Sequence, residues 1–176
     1  MARAFVPHTI TSDSALGGSV IDHSIRFNRG DNPHFSRTPS GAGNRRIWTY
    51  SVWLKRTDFG TRSFFQAYDG SSSRRFQLTF NSNDQINYNQ GGNSSSGVAN
   101  SYMRFRDPTA WYHLIVTLDS DNSTADERII IYVNGERQGL DISPTISTGD
   151  HGINNNNAQV IGREADTNSL AYDGSM

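Results

Sequence analysis

Short apolar runs alternate with turn-forming clusters along most of this chain. In 48–56, Trp48, Tyr50, Val52 and Leu54 recur at every second position, so in an extended backbone they share one face. Phe76, Leu78 and Phe80 do the same in 75–80, and Tyr112, Leu114, Val116 and Leu118 in 111–118. The run 129–133 is apolar at every position. Asn134-Gly135 follows it, the dipeptide that best accepts the two positive φ values of a tight hairpin. Further short strands are expected at 23–28, 34–37, 62–67, 85–90, 136–138, 159–162 and 169–172. The run 91–100, rich in Gly, Ser and Asn, reads as a loop. No stretch has a sustained helical period. Many short strands with regular turns predict an all-β, two-sheet antiparallel sandwich. The expected core carries Phe27, Trp48, Tyr50, Val52, Leu54, Phe76, Leu78, Trp111, Leu114, Val116, Ile129, Ile131 and Val133. Ile130 and Tyr132 make the other face of their strand apolar too, which predicts that this outer face is covered.

Residues 1–20 lack this alternation. Pro7 and the Ser- and Gly-rich run 12–19 read as an attachment arm, which leaves 21–176 as one domain. A length of 176 residues suffices for a single domain with a real core. Hydrophobic residues are only 34 % of the chain, but 11 % are aromatic, which fits a folded protein with much polar loop. A net charge of −1 gives no electrostatic footprint for nucleic acid. Lys55 is the only lysine among sixteen basic residues, and a surface rich in Arg suits an interface as well as it suits a compositional bias. The absence of cysteine removes disulfides and thiolate chemistry. The N-terminus shows neither a signal peptide nor a membrane-spanning run, so synthesis in a cytoplasm and no membrane insertion are expected.

The ordered motifs resemble a known family. Ser24-Ile-Arg-Phe-Asn28, Trp48-Thr-Tyr-Ser-Val-Trp-Leu-Lys55, Phe64-Phe-Gln-Ala-Tyr-Asp-Gly70 and Arg75-Phe-Gln-Leu-Thr-Phe80 look like the opening landmarks of laminin-G-like, concanavalin-like jelly rolls. Ala110-Trp-Tyr-His-Leu-Ile-Val-Thr-Leu-Asp119 and Ile129-Ile-Ile-Tyr-Val-Asn-Gly135 resemble its later strands. Val160-Ile-Gly162 and Tyr172-Asp-Gly174 resemble its closing motifs. The resemblance spans roughly 21–174. It implies one more strand after Tyr172-Asp-Gly174, so the sandwich is expected to lack its closing strand.

No catalytic residue is expected. The E-x-D-x-E strand of the related glucanases is absent, and the three glutamates, Glu127, Glu136 and Glu164, are scattered. No cofactor is expected. Asp69 and Asp119 end strands and are the positions a rim calcium would use, but Asp119-x-Asp121-x-Ser123 is not an EF-hand loop, because Thr124 and Ile130 stand where Gly and Glu are needed. Arg29-Gly30-Asp31 reads as turn chemistry. For a sugar ligand, the Asn-rich loops flanking two tyrosines offer Tyr88, Asn93, Tyr102, Asn154, Asn155 and Asn156, although a turn-rich soluble surface has the same composition.

Chains of this look, with an arm, no cysteine and a polar surface, resemble decoration or tail-fibre proteins of marine and cyanobacterial phages. That resemblance implies a non-enzymatic virion protein contacting other virion proteins, forming a homo-oligomer (a trimer) and presenting its sandwich to a host-surface glycan. The alternative is a carbohydrate-binding lectin module, and a glycoside hydrolase ranks third.

Overall fold

A computed structural model describes residues 23–68, 75–91, 97–165 and 167–176. The expected arm at 1–20 lies outside the described residues. The strands in chain order are β1 (Arg26–Phe27), β2 (Phe35–Arg37), β3 (Ile47–Arg56), β4 (Arg62–Ala67), β5 (Phe76–Phe80), β6 (Ile86–Gln90) and β7 (Val98–Ser101). Then follow β8 (Tyr112–Asp119), β9 (Ile129–Val133), β10 (Glu136–Arg137), β11 (Leu140–Ile142), β12 (Gln159–Ile161) and β13 (Gly174–Ser175). They form a six-stranded sheet, β1-β13-β3-β8-β9-β10, and a seven-stranded sheet, β11-β7-β6-β5-β4-β12-β2. Every pairing is antiparallel. This is the two-sheet antiparallel sandwich that the alternation predicts, in the jelly-roll form that the resemblance implies.

The alternating residues meet between the sheets. In β3, Trp48 and Leu54 are buried and Tyr50 and Val52 pack against the core, while Ile47, Thr49, Ser51 and Trp53 face outward. In β8, Tyr112, Leu114, Val116 and Leu118 are buried in strict alternation. The two sheets interlock through aromatic rings. Trp48 meets Phe76 edge-on at 5.0 Å, and Phe105 meets Phe80 at 5.5 Å and Tyr112 at 4.9 Å. Asn134 and Gly135 have φ of 52° and 85° and turn β9 directly into β10.

The structure corrects four expectations. Trp111 is 39 % exposed, because it precedes the buried Tyr112 and so belongs to the opposite phase from Leu114. The closing strand is present: β13 lies between β1 and β3, pairing Gly174 with Phe27 and Arg56, and Ile25 and Met176 exchange both backbone bonds beyond it. Ser169–Tyr172 is not a strand but an irregular connection, in which Leu170 has a φ of 48° and accepts from Ser63 N. Finally, β7 occupies the end of the expected 91–100 loop, and β11, which no alternation marks, pairs with it.

Candidate functional site

At one edge of the sandwich the chain steps from one sheet to the other. β10 is the last strand of the six-stranded sheet, β11 is the last of the seven-stranded sheet, and only Gln138-Gly139 joins them. This short crossing leaves a cleft of about 430 Å³ between the sheet edges. Tyr102, Asp126, Glu127, Ile129 and the continuous run 137–142 line it.

Tyr102 follows β7 directly, and its N–H continues the β7–β11 ladder by donating to Gly139 O at 2.9 Å. Its ring lies so close to the Gly139 backbone that a Cβ built on Gly139 would sit 2.6 Å from Tyr102 Cδ2. The ring is thereby braced on one side, yet Tyr102 remains 67 % exposed, the highest value among the exposed large hydrophobic residues. An aromatic held against backbone and open to water is a stacking platform for an apolar ligand face.

The rest of the cleft is polar. Ala125–Glu127 forms a 3-10 turn just before β9, bringing Asp126 and Glu127 to the rim. Arg137 on β10 donates to Glu127 Oε2 at 2.7 Å, and this hydrogen-bonded carboxylate raises the Arg137 pKa further. Gln138 turns its amide N–H back to Glu136 O at 3.1 Å. Asp141 and Asp126 are exposed. The cleft therefore combines one stacking surface with several hydrogen-bonding groups.

The structure scatters the other expected site residues. Tyr88 is completely buried, and its hydroxyl reaches His151 Nδ1 at 2.6 Å, so its ring offers no face to a ligand and leaves the candidate set. Asn155 is 3 % exposed and accepts from Gln159 and the Asn157 backbone, which makes it a loop brace. Asn154, with a φ of 53°, donates to Asn44 O at 2.8 Å, while Asn156 is exposed. Neither Asn154 nor Asn156 lines the Tyr102 cleft. Asn93 and Asp69 lie outside the described residues. Asp119 ends β8 and accepts from Asp121 N at 3.1 Å, an ordinary turn bond. Among the described residues no three His, Asp or Glu side chains are placed to hold a metal ion. Glu164 is buried beneath Gln77, Thr167 and Ser169, and Glu127 is engaged by Arg137.

Sequence reasoning found Tyr102 by its position beside an Asn-rich loop, and missed Gly139 and Asp141. The available signal was Gly139 itself: a glycine four residues after the turn glycine Gly135, inside a returning segment, marks a close approach.

Comparison with known proteins agrees with the architecture. Among solved structures, the native heptameric SAP-like pentraxin of Limulus polyphemus superposes with a TM-score of 0.59 at 20 % identity, covering 86 % of this chain and 71 % of that one. Domains LG4-5 of the mouse laminin alpha1 chain give 0.60 at 7 % identity, over 89 % of this chain and 41 % of theirs. The CBM40 domain of the Ruminococcus gnavus IT-sialidase, bound to alpha2,3 sialyllactose, gives 0.56 at 11 % identity, over 82 % and 88 %. At these identities the likeness is one of fold. No curated protein matches the chain. Residues 30–176 match the family Laminin_G_3, and the chain thus belongs to the concanavalin A-like lectin/glucanases superfamily.

Proposed function

We propose that this chain is a non-enzymatic carbohydrate-binding module that holds a glycan in the cleft beside Tyr102. The observation that carries the reading is the Tyr102 ring, braced by Gly139 and open at the wall of a polar cleft. A pyranose has an apolar C–H face and a rim of hydroxyls; the ring suits the first, and the surrounding carboxylate and amide oxygens suit the second. The fold supports the reading as well, since a solved relative of the same architecture holds sialyllactose. Hydrolysis would need two carboxyls acting across one bond; Glu127 is committed to Arg137, which leaves Asp126 and Asp141 in the cleft, and the turnover measurement below tests them directly. The virion role rests on resemblance alone, and the comparisons support the lectin reading instead.

A glycan array probed with the full chain tests the proposal. Reproducible binding to one glycan class, lost in Tyr102→Ala and without turnover of the bound glycan, is expected. Binding that survives Tyr102→Ala contradicts the assignment of the site, and steady hydrolysis contradicts the non-enzymatic reading.

A further inference from the structure

We infer that the Tyr102 cleft selects uncharged glycans and rejects anionic ones carrying sialic acid, uronic acid or sulfate. The inference rests on the carbohydrate-binding reading and specifies its ligand class from the balance of charge and hydrogen-bonding capacity in the cleft.

Arg137 is the only cation lining the cleft among the described residues. It is already used: its guanidinium holds Glu127 at 2.7 Å, and the two groups neutralise each other. Asp126 and Asp141 also line the cleft, and neither has an ion-pair partner among the described residues. The ligand therefore meets three carboxylates and a single guanidinium that is paired with one of them, so the cleft stays net negative.

The hydrogen-bonding capacity leans the same way. An ionised carboxylate only accepts, and Gln138 spends an amide N–H on Glu136 O while its carbonyl oxygen stays available. Three carboxylates and the Gln138 carbonyl oxygen supply the acceptors, while the side-chain donors are the Arg137 N–H groups not used on Glu127, the second Gln138 N–H and the Tyr102 hydroxyl, so the carboxylates set the preference. A neutral sugar brings one donor with each hydroxyl and satisfies such a surface. An anionic sugar brings acceptors to acceptors and a like charge besides. Asp126 and Asp141 are exposed, so a like charge about 4 Å from either is screened much as in water and changes affinity by roughly fivefold, and the two together by more than about tenfold.

Tyr102 supplies the attraction that is independent of charge. Because Gly139 fixes the ring against the β7–β11 edge, stacking is available to any pyranose with a free apolar face. Selection between neutral and anionic sugars then falls to Asp126 and Asp141. This differs from the relative of similar fold, which is seen with the anionic sialyllactose.

The test uses the full chain and matched pairs of oligosaccharides, each neutral glycan beside its sialylated or sulfated counterpart, at low ionic strength. Neutral members are expected to bind, with the anionic partners weaker by about tenfold or more. The double change Asp126→Asn with Asp141→Asn should shrink that gap to about twofold, and so should about 0.5 M salt, where screening acts within a few ångströms. Both substitutions fall at exposed positions and keep the side-chain size, so circular dichroism should be unchanged. Anionic glycans that bind as tightly as their neutral partners, with binding still lost in Tyr102→Ala, overturn the inference and leave the site assignment standing. A gap untouched by both the double substitution and salt overturns it as well. Failure of every neutral and anionic glycan to bind overturns the carbohydrate reading itself, and the selectivity with it.

Discussion

Arg56 is a cation enclosed by the core. It is 1 % exposed, lies over the rings of Phe80 at 4.4 Å and Phe59 at 4.9 Å, and donates to Asp84 and to the carbonyls of Asp58, Gly60 and Phe105. Burial lowers its pKa, and the Asp84 carboxylate acts in the opposite sense. One side chain thus ties the end of β3 to the Phe105 loop. Arg56→Ala leaves those acceptors unmet and should cost about 3 kcal/mol or more in chemical denaturation; a loss under about 1 kcal/mol contradicts this role. His151 is a second buried titratable group. Ser147 O can only accept, so His151 Nε2 carries the proton and Nδ1 accepts from the Tyr88 hydroxyl. Burial pushes its pKa down to about 4, from the ordinary 6.5. Because the folded value is the lower one, the unfolded chain binds the proton first. The stability is fully present above pH 6.5 and is lost as the pH falls toward 4. At pH 4.5 the loss should be about 2 to 3 kcal/mol relative to pH 7. Asp58, Asp107, Asp150 and Glu164 have lowered pKa values, so their contributions fade only at still lower pH. His151→Gln should flatten the profile between pH 6.5 and 4.5, and an unchanged slope would assign the acid sensitivity elsewhere. Gly139 bears on the proposed binding site. Gly139→Ala must displace the Tyr102 ring from 2.6 Å, so glycan affinity should fall several-fold while the denaturation midpoint moves little; a binding curve identical to that of the unmutated chain contradicts the bracing.

At the scale of elements, β8 shows what alternation conveys and where it misleads. The phase of Leu114, Val116 and Leu118 is readable because every second residue is apolar. Trp111 is placed in the expected core beside Leu114 and Val116, although the alternation that carries those two gives the inward position to Tyr112. Trp111→Ala should therefore cost less than about 1 kcal/mol, whereas Leu114→Ala should cost about 2 to 5 kcal/mol; a reversed order would return Trp111 to the core. The strands β7 and β11 were not legible because their pairing is dictated by neighbours. Val98-Ala-Asn-Ser has little apolar character of its own, but Asn100 lies beside Asn87, whose amide donates to it at 2.9 Å. β13 was hidden for another reason. Two residues carry no periodicity, and Gly174 is required both by its φ of 155° and by proximity, since a Cβ there would meet Lys55 O at 2.0 Å. The cleft inherits this partial legibility. Tyr102 belonged to a compositional signal, whereas Gly139 and Asp141 acquire meaning only when β11 returns beside β7.

At the scale of the molecule, the sandwich separates a packed interior from two kinds of exposed surface. The outer face of the six-stranded sheet carries Trp53 stacked on His113 at 4.9 Å, beside half-buried Ile115, Ile130 and Tyr132. The expected homo-oligomer would use this face. Light scattering across micromolar concentrations checks it: an assembly dissociated by Ile130→Ser with Tyr132→Ser is the expected outcome, and a monomer in the unmutated chain contradicts it. The edge cleft is the other surface, and the central claim of this account rests there. The most direct test is an amide NMR titration of the full chain with a neutral oligosaccharide chosen from the array. Saturable shifts clustered at Tyr102, Gln138, Gly139 and Asp141, with Asn154 and Asn156 unmoved, are the expected result. Shifts centred on Asn154–Asn156, or none at all at saturating sugar, would contradict it.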